Sequence, residues 1–181
     1  FDALKKSDYD QKGEFYFERY LSAHAIMISF EGIPAIYFNS IFGTANDEAK
    51  FIITGNNRDI NRYKWNLKNI NNKLKDSKTK QNKFYTSICN LLRIRRNQRA
   101  FHPNASRINI DFGRKIYGFK RISKDKKQTI ICITNLSSKI QTIKIEKKNQ
   151  KMRNLLNSKI NIINKKFLIL KPFETIWLSN I

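Results

Sequence analysis

Apolar positions recur with a helical period in two stretches of the first hundred residues. In residues 14–30 the apolar side chains follow this period without interruption by Pro or Gly, which predicts a helix. Its second half, residues 25–30, is apolar almost all round, which is typical of a helix pressed against a sheet. Residues 83–99 predict a second helix, in which Phe84, Ile88, Leu91 and Arg95 keep the period and the other face is basic.

A short apolar run and a long polar stretch lie between these helices. Gly32 and Pro34 end the first helix, and the continuous apolar run over residues 33–38 has the length of a strand buried on both faces. Residues 39–72 are then polar and rich in Asn. Because a loop of this length inside a compact chain is usually functional or disordered, we expect this segment to meet a ligand.

The remainder of the chain predicts strands only. Turn residues separate apolar runs at 108–112, 116–122, 129–134, 140–145, 167–170 and 175–178. Strands at this spacing favour an antiparallel sheet or sandwich. The predicted fold class is therefore α/β plus all-β, with a first part over residues 1–103 and a β domain over residues 104–181.

The formal net charge of +22 favours nucleic-acid binding at first sight. Lys, Ile and Asn together form about two fifths of the chain, as a genome biased towards A and T would produce, and the basic residues form no dense block. Residues 1–50 even carry more acidic than basic side chains. A scattered, solvated basic surface is favoured, and a basic nucleic-acid-binding module remains the alternative.

Several other classes of protein are excluded or disfavoured. No run approaches the roughly 18 apolar residues of a membrane-spanning helix. Cys89 and Cys132 have neither CxxC spacing nor a nearby His, which indicates reduced thiols in a cytosolic protein and no metal site. The chain begins with Phe and shows no signal peptide, so we expect a cytoplasmic segment of a longer protein.

Two motifs carry a resemblance to a known family. The run GIPAIYFNSIFGTAND starts at Gly32 and the run NNRDINR starts at Asn56. They resemble the sucrose phosphorylase-like branch of the α-amylase superfamily, glycoside hydrolase family 13. The stretches FDAL, LSAHAIMIS, LLRIRRNQRAFHPNA and LKPFETIWL support the resemblance over nearly the whole chain.

The resemblance implies the last βα unit of a (β/α)8 barrel, with residues 39–72 as a long active-site loop, followed by the C-terminal β domain. It implies a retaining enzyme that cleaves an α-glucoside with phosphate and releases α-glucose 1-phosphate, without cofactor or metal. The catalytic carboxylates of such enzymes lie on earlier strands, so this chain alone is expected to be inactive, and the N-terminal part of the barrel is a candidate partner. Sucrose, sucrose 6-phosphate and glucosylglycerate remain open as donors, and so does a non-catalytic remnant of the family.

Five residues follow from the resemblance and from spacing as candidates for the site. Arg58 matches the arginine that hydrogen-bonds the bound glucosyl ring, and a guanidinium offers five donors with a permanent charge. Asp59 and Arg62 are spaced to pair with each other or to cap the next helix, which favours a supporting role in the loop. Asp47 lies near the expected pocket rim, and Trp65 can either stack on a sugar or anchor the loop.

Overall fold

Two long helices and a five-stranded antiparallel sheet carry the core of the protein in a computed structural model, which describes residues 1–8, 10–146, 151–157 and 166–181. The α-helices are α1 (Tyr16–Ser29), α2 (Phe38–Ile41), α3 (Glu48–Thr54), α4 (Leu67–Lys75) and α5 (Lys80–Arg96). Short 3-10 helices cover Asp2–Leu4, Asn57–Asn61 and Arg99–Phe101. The strands are β1 (Ser106–Asp111), β2 (Ile116–Ile122), β3 (Thr129–Asn135), β4 (Gln141–Lys144), β5 (Arg153–Asn154), β6 (Phe167–Leu170) and β7 (Thr175–Ser179).

The helices predicted from periodicity are confirmed as α1 and α5, and they pack against each other. Phe84 of α5 lies at the centre of this contact, where its ring meets those of Tyr20 and Phe17 of α1 at centroid distances of 4.8 and 5.1 Å. The same cluster of buried residues includes Trp177 of β7, so the helices cover one face of the sheet. None of the described helices has the length and apolar character needed to cross a membrane.

The strand predicted over residues 33–38 is not present in the described chain. Residues 33–37 are extended but pair with no described strand, Ile33 is 85% exposed, and Phe38 already begins α2. The apolar run predicts a strand buried on both faces, but a strand is buried only where neighbouring strands or helices cover it. All seven strands of the described residues lie after residue 105.

The predicted loop over residues 39–72 is largely folded into short helices. Its many polar residues serve as helix caps: the side chain of Asp47 accepts a hydrogen bond from the amide of Lys50 in α3, and Asn66 accepts one from Asn69 in α4. The left-handed Gly55 ends α3. The polar, Asn-rich composition predicted a loop up to residue 72, whereas α4 already begins at Leu67.

The antiparallel sheet predicted for the C-terminal part is confirmed. Its strand order is β1-β2-β3-β7-β5, every pairing is antiparallel, and β4 and β6 form a separate two-stranded sheet. The side chains of β3 alternate between two cores, with Ile130 and Cys132 facing the helices and Ile131 and Ile133 packed with Ile143 of β4. The two-domain boundary at residues 103–104 stays a prediction.

Candidate functional site

Arg58 lies in the 3-10 helix Asn57–Asn61, on the surface of the helical part. The side chain of Asn56 caps this helix by accepting a 3.0 Å hydrogen bond from the amide of Arg58. Arg58 lines a surface depression of about 370 Å³, whose other lining residues are Tyr37, Asn57, Asn61 and Arg62. Within the described part of the chain the Arg58 guanidinium has no hydrogen-bond or ion-pair partner, so its donors are free for a ligand.

Tyr37 and Asn39 hold the turn that carries Arg58. The Tyr37 hydroxyl donates to the carbonyl of Asn61 at 3.3 Å, and the Asn39 side-chain amide donates to the carbonyls of Tyr63 at 2.9 Å and Asn61 at 3.4 Å. Asn39 is buried, and its Oδ1 has no partner among the described residues. Sequence reasoning used Tyr37 only as a family marker and gave Asn39 no role, although both stand in the quoted motif.

Asp59 ties the same turn to α3. Its carboxylate accepts a hydrogen bond from Lys50 Nζ at 2.7 Å, and the hydrogen bonds from Lys50 and Thr54 hold the pKa of Asp59 below its usual value. The chain folds back here because the amide of Asp47 donates to the carbonyl of Ile60 at 2.6 Å, which brings α3 alongside. The direct ion-pair partner of Asp59 is thus Lys50, while the nearby charge of Arg62 also lowers the pKa of Asp59, and α4 is capped by Asn66 rather than by Asp59.

Asp47 and Trp65 line a neighbouring depression rather than the one at Arg58. The Trp65 indole N–H donates to the Thr44 hydroxyl at 3.0 Å, and its ring packs edge-on against Tyr63 at a centroid distance of 4.9 Å. The structure thus brings Arg58 and Arg62 together, and places Asp59 behind them and Trp65 to one side.

The described residues contain no group of three or more His, Cys, Asp or Glu side chains that could hold a metal ion. Both cysteines are free. Burial raises the pKa of the Cys132 thiol to about 12, so this group is neutral at ordinary pH. Neither cysteine lines the Arg58 depression.

Comparison with known proteins gives two kinds of relative. The glucosylglycerate phosphorylase of Escherichia coli K12 is 33% identical over 164 residues, which cover 89% of this chain and 28% of that protein. The enzyme of the same name from Allomeiothermus silvanus is 36% identical over 105 residues, covering 58% of this chain and 19% of that protein. The chain therefore spans less than a third of the length of these relatives. No family model matches.

Solved structures with the same fold are enzymes that share little sequence with this chain. The trehalulose synthase MutB from Pseudomonas mesoacidophila MX-45 matches with a TM-score of 0.66 and 14% identity, over 88% of this chain and 38% of that one. AmyP in complex with maltose matches with a TM-score of 0.65 and 17% identity, over 92% and 35%. The resemblance to glycoside hydrolase family 13 predicted from the motifs is thereby confirmed: the chain is similar to the C-terminal part of the glucosylglycerate phosphorylases of that family and shares its fold with MutB and AmyP.

Proposed function

We propose that these 181 residues form the C-terminal part of a cytoplasmic, retaining α-glucoside phosphorylase, in which the last βα unit of a (β/α)8 barrel precedes the β-sheet. The enzyme transfers a glucosyl group from a donor glucoside to phosphate and releases α-glucose 1-phosphate. Two observations support the proposal: the Escherichia coli glucosylglycerate phosphorylase matches 89% of the chain, and the Arg58 guanidinium, which has no partner among the described residues, lines a surface depression. The second of these carries the assignment of the site.

Arg58 is proposed to bind the sugar. Its five N–H donors suit vicinal hydroxyls, and its charge does not titrate away at physiological pH. Asp59 has its carboxylate engaged by Lys50, and Asp47 caps α3, so both support the loop. Arg62 shares the depression with Arg58 and stays exposed, and Trp65 anchors the loop through Thr44.

The reaction needs groups that this chain is not proposed to supply. Retaining cleavage uses two carboxyl groups about 5–5.5 Å apart, one as nucleophile and one as acid and base. No Asp or Glu of the described residues lines the depression at Arg58, and the buried Asp10 is bound by Arg19. We therefore expect no phosphorolysis by the 181-residue chain alone, and the preceding part of the barrel is the proposed partner.

Glucosylglycerate is the first donor to test, because the phosphorylases that match this chain carry that name. Sucrose and sucrose 6-phosphate are the other donors within the proposed class. The assay is release of α-glucose 1-phosphate from each donor by the full-length protein with phosphate. Absence of release from all three donors would favour a non-catalytic remnant of the family.

Substitution of Arg58 in the full-length enzyme tests the site. Arg58→Ala should lower kcat/KM about 100-fold, which corresponds to roughly 3 kcal/mol, because a charged donor to the sugar is lost. Arg58→Lys should be nearly as harmful, since one ammonium group cannot reproduce the planar fork. Arg96→Ala, an exposed position on α5, is the control and should keep the parent kinetics. Parent-like kinetics in both Arg58 variants would remove Arg58 from the site.

A further inference from the structure

Three arginines from three different elements bind five consecutive residues at the end of α1. We call Arg95 of α5, Arg107 of β1 and Arg121 of β2 the arginine clamp. Each residue of the segment 28–32 is bound by one of them, through its carbonyl or through its side chain. The bound groups are the carbonyls of Ile28, Ser29, Phe30 and Gly32 and the carboxylate of Glu31.

Arg95 provides three of these contacts. Its Nη1 donates to the carbonyls of Ile28 and Phe30, the latter at 3.1 Å, and its Nη2 donates to the carbonyl of Gly32 at 2.8 Å. The last carbonyls of a helix lack partners within the helix, and side chains from elsewhere rarely supply three at once. Burial lowers the pKa of Arg95, and the like charge of Arg121 lowers it further, so the clamp places two cations together in the interior.

Arg121 and Arg107, which lie in the sheet, bind the same segment 28–32. Arg121 is fully buried and donates to the carbonyl of Ser29 at 2.7 Å, and to those of His102 and Ala105 at 2.8 and 3.2 Å. Arg107 Nε lies 2.8 and 2.9 Å from the two oxygens of the Glu31 carboxylate. The end of α1 is therefore linked to β2 through the Ser29 carbonyl, and the following Glu31 is linked to β1 through its carboxylate.

The candidate site begins only a few residues beyond the clamp. Gly32 has a positive φ of 77°, which reverses the chain, and its amide donates to the carbonyl of Pro103 at 3.0 Å. Residues 33–37 then pair with no described strand until Tyr37 and Asn39 hold the Arg58 turn. The segment has no strand pairing in the described chain, and Ile36 is its half-buried hydrophobic residue packed against the core, so its direction depends strongly on how its two ends are held.

We propose that Arg95 and Arg121 are positioning residues, which set the direction in which the chain leaves α1 and so hold the Arg58 site in place relative to the β-sheet. A lysine at either position keeps the charge but cannot donate to several carbonyls in the same fixed geometry. The sheet, which carries no residue of the site, thereby acts on the site through its arginine.

Amide hydrogen exchange on the 181-residue protein tests this proposal without any sugar or activity, so its outcome is independent of the proposed function. The site amides to follow are Thr44, which donates to the Asn39 carbonyl, and Asp47, which donates to the Ile60 carbonyl. The reference amides are Ile88 in α5 and Cys132 in β3. Arg95→Lys and Arg121→Lys should raise exchange at the site amides at least tenfold more than at the reference amides.

Arg96→Lys is the matched control, since this neighbour of Arg95 on α5 is exposed and should leave all four amides unchanged. Equal acceleration at site and reference amides would show a merely structural role and overturn the proposal, as would no change. If Arg121→Lys does not fold, Arg107→Gln tests the same grip at the partly exposed Glu31 contact. Arg107→Gln should also accelerate exchange at the site amides more than at the reference amides. Equal acceleration at both would overturn the proposal.

Discussion

The five-stranded sheet buries apolar residues of the kind that the segment around the candidate site, residues 33–65, leaves exposed. Ile130, Ile133 and Leu178 of the sheet are fully buried, whereas Ile33 and Ile53 near the site are 85% and 83% exposed. Exposed apolar clusters of this kind mark surfaces that meet another molecule or another part of a protein. The central strands of the sheet are therefore covered by the helices on one face and by β4 and β6 on the other, whereas the site segment presents apolar area that the described residues do not cover.

Two buried asparagines show the same contrast in hydrogen bonding. Asn135, at the end of β3, donates to the carbonyls of Lys139 and Lys171 at 2.7 and 2.8 Å and accepts from the amide of Ser137 at 2.9 Å. Asn39 has one short bond, to Tyr63, and a buried Oδ1 without a partner among the described residues. A buried polar group without partners costs stability, so the hydrogen bonding of the site segment is less fully satisfied than that of the sheet.

Replacement of one isoleucine by alanine in each region should give the largest difference in the free energy of unfolding. Ile133→Ala removes a fully buried side chain and should lower the free energy of unfolding by about 4 kcal/mol. Ile53→Ala removes an exposed one and should change it by less than about 0.5 kcal/mol. Urea unfolding followed by circular dichroism measures both. A comparable loss in the two variants would mean that Ile53 is covered in solution, for example by a second copy of the chain.

Alanine substitutions of the two buried asparagines, Asn135 and Asn39, should differ less in their effect on the free energy of unfolding. Asn135→Ala should cost about 3 kcal/mol, because it leaves several backbone groups of the turn without partners, and Asn39→Ala only about 1 kcal/mol. The same unfolding experiment measures both, with Asn97→Ala at the exposed end of α5 as the control. If Asn39→Ala proved the costlier change, the site segment would be the better completed region and the contrast would fail.

Local patterns predicted the elements that depend on local chemistry. The 3.6-residue period located α1 and α5, and the spacing of apolar runs located every strand of the five-stranded sheet except the two-residue β5. Gly32, which was predicted to end the first helix, lies just after α1 with a positive φ. These features require only the residues within one or two turns of the chain.

Features that depend on distant residues could not be predicted in this way. The prediction that residues 33–38 form a buried strand was wrong, because neighbouring strands decide whether such a run is buried. The carboxylate of Asp59 pairs with Lys50, nine positions away, rather than with Arg62. One signal was present but unused: Arg95 occupies a core position of the α5 period, and an arginine in such a position needs buried acceptors. Its partners at the end of α1 lie more than sixty residues earlier in the chain.

Acid should give the smallest of these effects, and at the start of α1, where a buried ion pair joins Asp10 to Arg19. Burial by itself would raise the pKa of Asp10, but the hydrogen bond from Arg19 and those from the amides of Phe15 and Glu14 outweigh it and lower the pKa to about 2. In the unfolded chain the pKa is that of an ordinary aspartate, near 3.8. The ionised form is therefore favoured by folding, and its contribution to stability is present above about pH 4 and is lost as the pH falls towards 2.

Asp10→Asn should accordingly lower Tm at pH 7, and its curve should meet that of the parent protein as the pH is lowered from about 4 to 2. Thermal unfolding at a series of pH values measures this convergence. Asp8→Asn is the control, because Asp8 is exposed and has no hydrogen bond within the described residues, and its curve should follow the parent at every pH. Parallel curves for Asp10→Asn and the parent across this window would show that the Arg19–Asp10 pair does not hold the start of α1.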